Sequence, residues 1–327
     1  MRSSKDGADV PSPAAFCPQD GNSQRPSRRH PPPSLPLPPS PSSTPVSVSP
    51  SLPSFPFPHL PSVFRRYVPG NPDWDFTRES FLSNSLSSAA IFNTFDFFDS
   101  PYLSHLRSSS YASGRLFAVG PIAPAVPDSD NSNIFPYLDS CPPNSVVYIC
   151  FGSQFTTEPA LTAAISAGLE SSGVRFLWAA GTAAPEEFEG KGKVVKGWVP
   201  QRAVLEHVAV AAFVTHCGWN SVLEGLVAGV VLLAWPMEAD QFVNAKLLVE
   251  EAGVAVRICE GGPGKVPEAT ELGRLIGKAV EEGSWPALRL KAAEMARKAK
   301  EAVAEGGSSF LAMEEMAKLL KQASTED

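Results

Sequence analysis

From Ser145 to Ile258 one pattern recurs: a short apolar run, a turn, then a stretch whose apolar residues fall at helical spacing. SVVYICFGS precedes EPALTAAISAGLESSG, KVVKGW precedes PQRAVLEH, AAFVTHC precedes NSVLEGLVAG, and VLLAWP precedes EADQFVNAKLLVEEAG. VRFLWAA runs into a Gly-rich connection, and VAVRI leads to two or more helices at the end of the chain. Apolar strands that alternate with helices pair in parallel and need cover on both faces. Residues 139–327 are therefore expected to form an α/β, Rossmann-like parallel sheet with C-terminal helices.

Upstream the pattern is different. Residues 62–138 read as a helix (DWDFTRESFLSNSLSSA), a short buried strand (AAIFNTF), a helix from Phe97 to Arg107, and a strand in RLFAVG. Pro121, Pro124 and Pro127 then mark a linker, because each disfavours continued regular structure. Residues 1–61 are dominated by Pro and Ser without an apolar face, a composition that cannot offset its ordering entropy, and are expected to be disordered.

Lys and Arg number 27 against 34 Asp and Glu, a net charge of −7, with no clustered basic patch. This argues against a nucleic-acid partner and for a small one. The five cysteines are widely spaced with no CxxC pair, which fits free thiols in a reducing compartment. No apolar run is long enough for a membrane span and the start lacks the apolar core of a secretory signal, so a cytoplasmic location is expected.

In open α/β sheets ligands bind beyond the carboxyl ends of the strands. Here those positions carry Gly152 and Ser153; Trp198, Pro200 and Gln201; His216, Gly218, Trp219, Asn220 and Ser221; then Trp235, Pro236, Asp240 and Gln241. Three tryptophans and several polar groups are thus expected along one edge. His216 and Cys217 are neighbours at a strand end and should point apart, which disfavours a Cys–His dyad and makes Cys217 a buried filler. His207 and His216 lack further ligands at metal spacing. Gly218, Asn220 and Ser221 open a helix, whose free amides and positive end suit a diphosphate. Each residue also has a plain alternative. Ser221 and Glu224 match a capping box, Trp198 could be a core aromatic, and Asp240 and Gln241 could simply stabilise a first helical turn.

Taken together, Trp198 to Gln241, WVPQRAVLEHVAVAAFVTHCGWNSVLEGLVAGVVLLAWPMEADQ, resembles the signature box of the plant family 1 UDP-glycosyltransferases. The match runs through W-x-P-Q, L-x-H, F-x-T-H-C-G-W-N-S-x-x-E, W-P and D-Q in one register; Val231 stands where the family usually has proline. The similarity extends from about His59 to the C-terminus and looks closest to enzymes that glycosylate flavonols and other phenols. The resemblance implies the GT-B fold, two Rossmann-like domains facing across a cleft, with the nucleotide sugar held by the C-terminal one. Residues 62–138 would then be part of the acceptor domain.

The resemblance also implies roles. Trp198 would stack on uracil with the Val199 backbone bonding its edge, and Gln201 and Glu224 would bind ribose. Ser153, His216, Asn220 and Ser221 would contact the diphosphate; Trp219, Asp240 and Gln241 would bind the sugar, with Gln241 favouring glucose. A hydroxyl of a small phenolic acceptor would displace UDP with inversion, with UDP-sugar as co-substrate and neither cofactor nor metal.

The family's general-base histidine lies in the first strand–loop of the acceptor domain, and none of the five histidines here matches that position. The resemblance therefore leads to the expectation of an N-terminally truncated transferase with exposed apolar surface. A catalytically inactive UDP-sugar-binding fragment is the alternative.

Overall fold

The computed structural model describes residues 45–47, 52–122, 133–153, 155, 157–181, 184–185, 190–262 and 264–323. The expectation of disorder for residues 1–61 therefore lies largely outside the described residues. Within that span Val46–Ser47 (β1) pairs antiparallel with Ser54–Phe55 (β2), and a 3-10 turn covers Phe57–His59. Leu60 is buried, so docked structure begins ahead of the boundary drawn at residue 62.

The part that follows is small. Helices α1 (Ser62–Arg65) and α2 (Pro72–Asn84) lead to strand β3 (Ala90–Phe92), helix α3 (Asp96–Arg107) and strand β4 (Leu116–Ala118). Asn71 caps α2, its side chain accepting from the amides of Asp73 and Trp74, and Pro72 sits where a helix start has no use for an N–H. Strands β3 and β4 pair in parallel with each other. Phe76, Phe81, Ile91 and Phe97 are exposed on this part of the molecule.

The larger part begins with helix α4 (Ile134–Asp139). Its strands are β5 (Val146–Cys150), β6 (Arg175–Ala179), β7 (Gly192–Val195), β8 (Val210–Thr215), β9 (Val231–Ala234) and β10 (Ala255–Arg257). The helices between and after them are α5 (Pro159–Ser172), α6 (Gln201–Leu205), α7 (Trp219–Ala228), α8 (Gln241–Lys246), α9 (Ala269–Val280), α10 (Pro286–Val303) and α11 (Ser308–Ala323). The six strands are those read from the sequence, all parallel, in the order β10-β9-β8-β5-β6-β7. Chain order reverses between β5 and β8, which makes that gap the topological switch point of a doubly wound sheet.

Strand residues alternate between two apolar layers, as the two-residue period requires. Val146, Tyr148, Phe213 and Leu232 join Val222, Leu226, Met295 and Ala299 of α7 and α10 on one face. Val147, Ile149, Val214 and Leu233 join Leu161, Ile165, Leu272 and Ile276 of α5 and α9 on the other. Gly225 lets α7 lie against β9, since a Cβ there would stand 2.5 Å from Leu232. The last helix, α11, turns back to the smaller part, and the buried Ser309 hydroxyl donates to the Gly120 carbonyl.

One element departs from the sequence reading. The stretch from Glu238 to Gly253 was expected to be a single helix, yet α8 starts only at Gln241 and passes into a π-helical turn over Leu247–Glu251. The Gln241 side chain accepts from the backbone amides of Met237 and Glu238, and that contact holds the preceding residues as a loop.

Phe213 is fully buried on the central strand β8, with its ring 5.1 Å from that of Tyr148. Truncation of such a residue leaves a cavity that a close-packed sheet cannot collapse. Phe213→Ala should lower the unfolding free energy by about 3–5 kcal/mol, read as a shift of the urea midpoint at unchanged slope.

Candidate functional site

The switch point places the loop after β5 opposite the loop after β8. Gly152 follows β5 at φ +79°, and a Cβ there would lie 2.7 Å from His216 Nε2. A Cβ on Gly218 would lie 2.5 Å from the same nitrogen. The imidazole thus occupies a slot that only glycine on both sides leaves open. Cys217 turns the chain here at φ +64°; its N–H donates to Thr215 Oγ1 at 3.1 Å, and its carbonyl accepts from Asn244 Nδ2 at 3.0 Å.

His216 and Cys217 do part, as strand-end geometry requires. The Cys217 side chain is wholly buried, its thiol donates toward the Thr215 carbonyl, and burial pushes its pKa up to about 12. It is an apolar filler and not a nucleophile. The largest influence on the ring of His216 is burial, which lowers its pKa against a smaller opposing pull from Asp240. Its Nδ1 is buried without a partner among the described residues.

Helix α7 starts directly after this slot, with Gly218 as its N-cap, a residue with no side chain to bond the first-turn amides. The capping-box alternative therefore fails: Ser221 is the third residue of the helix and not its cap. Instead Gln201, at the start of α6, donates from Nε2 to Ser221 Oγ at 3.0 Å and to Glu224 Oε2 at 2.6 Å. The Tyr148 hydroxyl donates to Gln201 Oε1 at 3.4 Å from the core below, which fixes the sense of that amide. Burial raises the Glu224 pKa, while the bond from Gln201 and the nearby charge of Arg202 pull it back. A shallow cleft beside this cluster is lined by Pro121, Ile122, Arg202, Leu223, Glu224 and Val227.

The tryptophans separate. Trp198 is 56% exposed beside the buried Val199, so it stands on the surface as an accessible ring and is not a core aromatic. Trp219 donates from Nε1 to the Asn93 carbonyl at 2.7 Å, and its ring stacks on Phe98 at 5.9 Å. Its indole donor therefore ties α7 to the smaller part and is not free for a sugar. Trp235 does not belong to the edge at all, a correction to the sequence reading. It is 1% exposed and packed edge-on against Phe151 at 5.2 Å, because its backbone N–H still donates to the Thr215 carbonyl at 2.9 Å and the two-residue alternation puts its side chain in the same apolar layer as Leu233.

Ser153 is exposed beside the slot, Asn220 is exposed on the first turn of α7, and Asp240 is the residue before α8. Asn244, which the sequence reading passed over as an ordinary helical residue, is buried and bridges the Cys217 carbonyl to Asp240 Oδ2, each at 3.0 Å. A polar side chain among the apolar positions of that helix was the only signal that could have marked it. His207 is spoken for, its Nε2 3.1 Å from Asp139 Oδ1 and its Nδ1 accepting from the Ala209 amide. Among the described residues no group of three or more His, Cys, Asp or Glu side chains gathers as a metal site, and no helix is long and apolar enough to cross a membrane.

The parallel, doubly wound six-stranded sheet is the α/β fold that this chain shares with GT-B plant glycosyltransferase structures. Residues 114–262 match the family model described as UDP-glucoronosyl and UDP-glucosyl transferase. A flavonol 3-O-glucosyltransferase of Arabidopsis thaliana is 41% identical over 280 residues, covering 80% of this chain and 58% of the relative. The crystal structure of Arabidopsis thaliana UGT89C1 complexed with UDP-L-rhamnose is 37% identical with a TM-score of 0.69, covering 76% of this chain and 62% of that one. The Phytolacca americana UGT2 structure with UDP-2fluoro-glucose and pterostilbene is 28% identical with a TM-score of 0.75, covering 83% and 63%. The chain belongs to the plant UDP-glycosyltransferase family, and it spans 58–63% of the length of these relatives.

Burial lowers the pKa values of His216 and His59 below the ordinary 6.5. As the pH falls through 6.5 the unfolded chain then takes up more protons than the folded one, so stability is present above that value and is lost below it. Urea midpoints on either side of pH 6.5 should show this loss. His216→Gln should flatten it in part, leaving the share of His59.

Proposed function

We propose that this chain carries the donor half of a UDP-sugar-dependent glycosyl transfer to a hydroxyl of a small phenolic acceptor such as a flavonoid. The observation that carries the reading is the Gln201–Ser221–Glu224 cluster set beside the His216 slot at the start of an uncapped helix. A carboxylate and an amide at that spacing suit the two hydroxyls of a ribose, and the exposed ring of Trp198 offers a face to uracil with the Val199 backbone at its edge. The first-turn amides of α7, together with Ser153, Asn220, Ser221 and the neutral His216, would hold the diphosphate. The Glu224 carboxylate would leave Gln201 for ribose on binding.

Asp240 and Gln241 would take the sugar hydroxyls, with Trp219 contributing its backbone amide in place of its committed indole. Because the amide oxygen of Gln241 is held by two backbone donors, its NH2 group is left to donate to a hydroxyl. In this reading the sugar is glucose. The anomeric carbon inverts as the acceptor oxygen bonds to it, the bond to UDP breaks and the hydroxyl proton passes to water, and the charge developing on UDP is met by amides and imidazole with no metal ion called on. The relatives' own names include flavonol glucosyl transfer, which supports the acceptor class.

Calorimetry on the folded chain should show UDP binding that Trp198→Ala weakens roughly tenfold or more, the scale of base–aromatic stacking. No binding by folded protein would overturn the donor-site assignment. Assays with UDP-glucose and a panel of flavonols should give turnover above a His216→Ala control. Binding without turnover would favour the non-catalytic UDP-sugar binder, and turnover with UDP-rhamnose in preference to UDP-glucose would overturn the sugar assignment.

A further inference from the structure

The loop from Pro236 to Asp240, at the sugar end of the site, is gripped from two directions. From within, Gln241 Oε1 accepts from the amides of Met237 at 2.9 Å and Glu238 at 2.8 Å, and Asn244 ties Asp240 to the Cys217 carbonyl. From without, Arg65 of α1 donates from Nη2 to Glu238 Oε1 at 2.5 Å and from Nε to the Leu60 carbonyl at 2.7 Å. Arg66 reaches the other Glu238 oxygen at 3.1 Å, and His59 stacks on Phe242 with ring centres 4.8 Å apart. The Arg65 and Glu238 side chains are only 18% and 28% exposed, so their attraction is less screened than that of a surface pair.

Glu238 belongs to both grips: its carboxylate is held by Arg65 and its N–H holds Gln241. The next residue, Ala239, sits at φ +55°, a conformation that a residue with a Cβ adopts only when its surroundings impose it. We propose that Arg65 is a positioning residue for the donor sugar. By fixing Glu238 it fixes the loop that presents Asp240 and Gln241, so the segment ahead of α2 sets how well a UDP-sugar is held compared with UDP alone. The inference rests on the donor-site reading above. It extends that site to a residue outside the signature box, some 170 positions upstream of the carboxylate it grips.

Calorimetry on the full chain with UDP and with UDP-glucose separates positioning from mere docking. Arg65→Ala and Glu238→Gln should each weaken UDP-glucose roughly tenfold, about 1.4 kcal/mol, while UDP stays within about twofold of wild type. Arg65→Lys should recover part of the loss, and the Arg65→Ala/Glu238→Gln double variant should be no weaker than either single one. Equal losses for UDP and UDP-glucose, or no loss for either, would overturn the inference while leaving the donor site standing. If the Arg65→Ala chain does not fold, the near-isosteric Glu238→Gln variant decides alone. A folded wild-type chain that binds neither ligand would overturn the donor-site reading, and this inference with it.

Discussion

Cover on both faces of the parallel sheet is the constraint from which the rest follows. With Phe213 and Leu232 buried on one side and Ile149, Val214 and Leu233 on the other, both faces of the sheet are apolar layers, and the Tyr148 hydroxyl meets its polar partner at Gln201, where α6 begins. Polar chemistry is confined to the loops at the strand ends, and the reversal between β5 and β8 opens a gap there. The groups of the central cluster enter that gap from strand ends and from the helices that follow them: Gly152 from β5, His216 from β8, Ser221 and Glu224 from the first two turns of α7, Gln201 from the start of α6.

The same burial sets the electrostatics. It lowers the His216 pKa and raises that of Glu224, so each is biased toward its uncharged form against the smaller opposing pulls of Asp240 and Arg202. A neutral imidazole beside the first-turn amides gives the site donors and a positive dipole, with the Arg202 charge set off by Glu224. Such a site suits an anion that must later leave, because its hold rests on oriented dipoles already in place.

Much of this was legible in the sequence, and the exceptions have physical causes. The six strands and their order of succession follow from apolar runs between helical stretches, since buried parallel strands have no polar face to confuse the pattern. Trp198, Gln201 and His216 could be picked out because polar or aromatic residues just after such strands have no packing reason to be there, whereas Glu224, further along its helix, entered the site only through the family resemblance. Position along the chain could not distinguish Trp235, which folds inward to Phe151, from Trp198, which stays outside. Nor could it show that Gln201 bonds Ser221 and Glu224, that the indole of Trp219 bonds Asn93, or that Asn244 and Arg65 brace the loop before α8. These are contacts between residues far apart in sequence, and no local period encodes them.

The central claim is that the β5–β8 gap is a cradle for a nucleoside diphosphate. A crystal structure of the chain with UDP tests it most directly. The account predicts the diphosphate within hydrogen-bond reach of the first-turn amides of α7 and of the His216 ring, the ribose on Glu224, and uracil against Trp198. UDP bound elsewhere on the molecule, or in the gap with its base away from Trp198 and its phosphates away from α7, would contradict it.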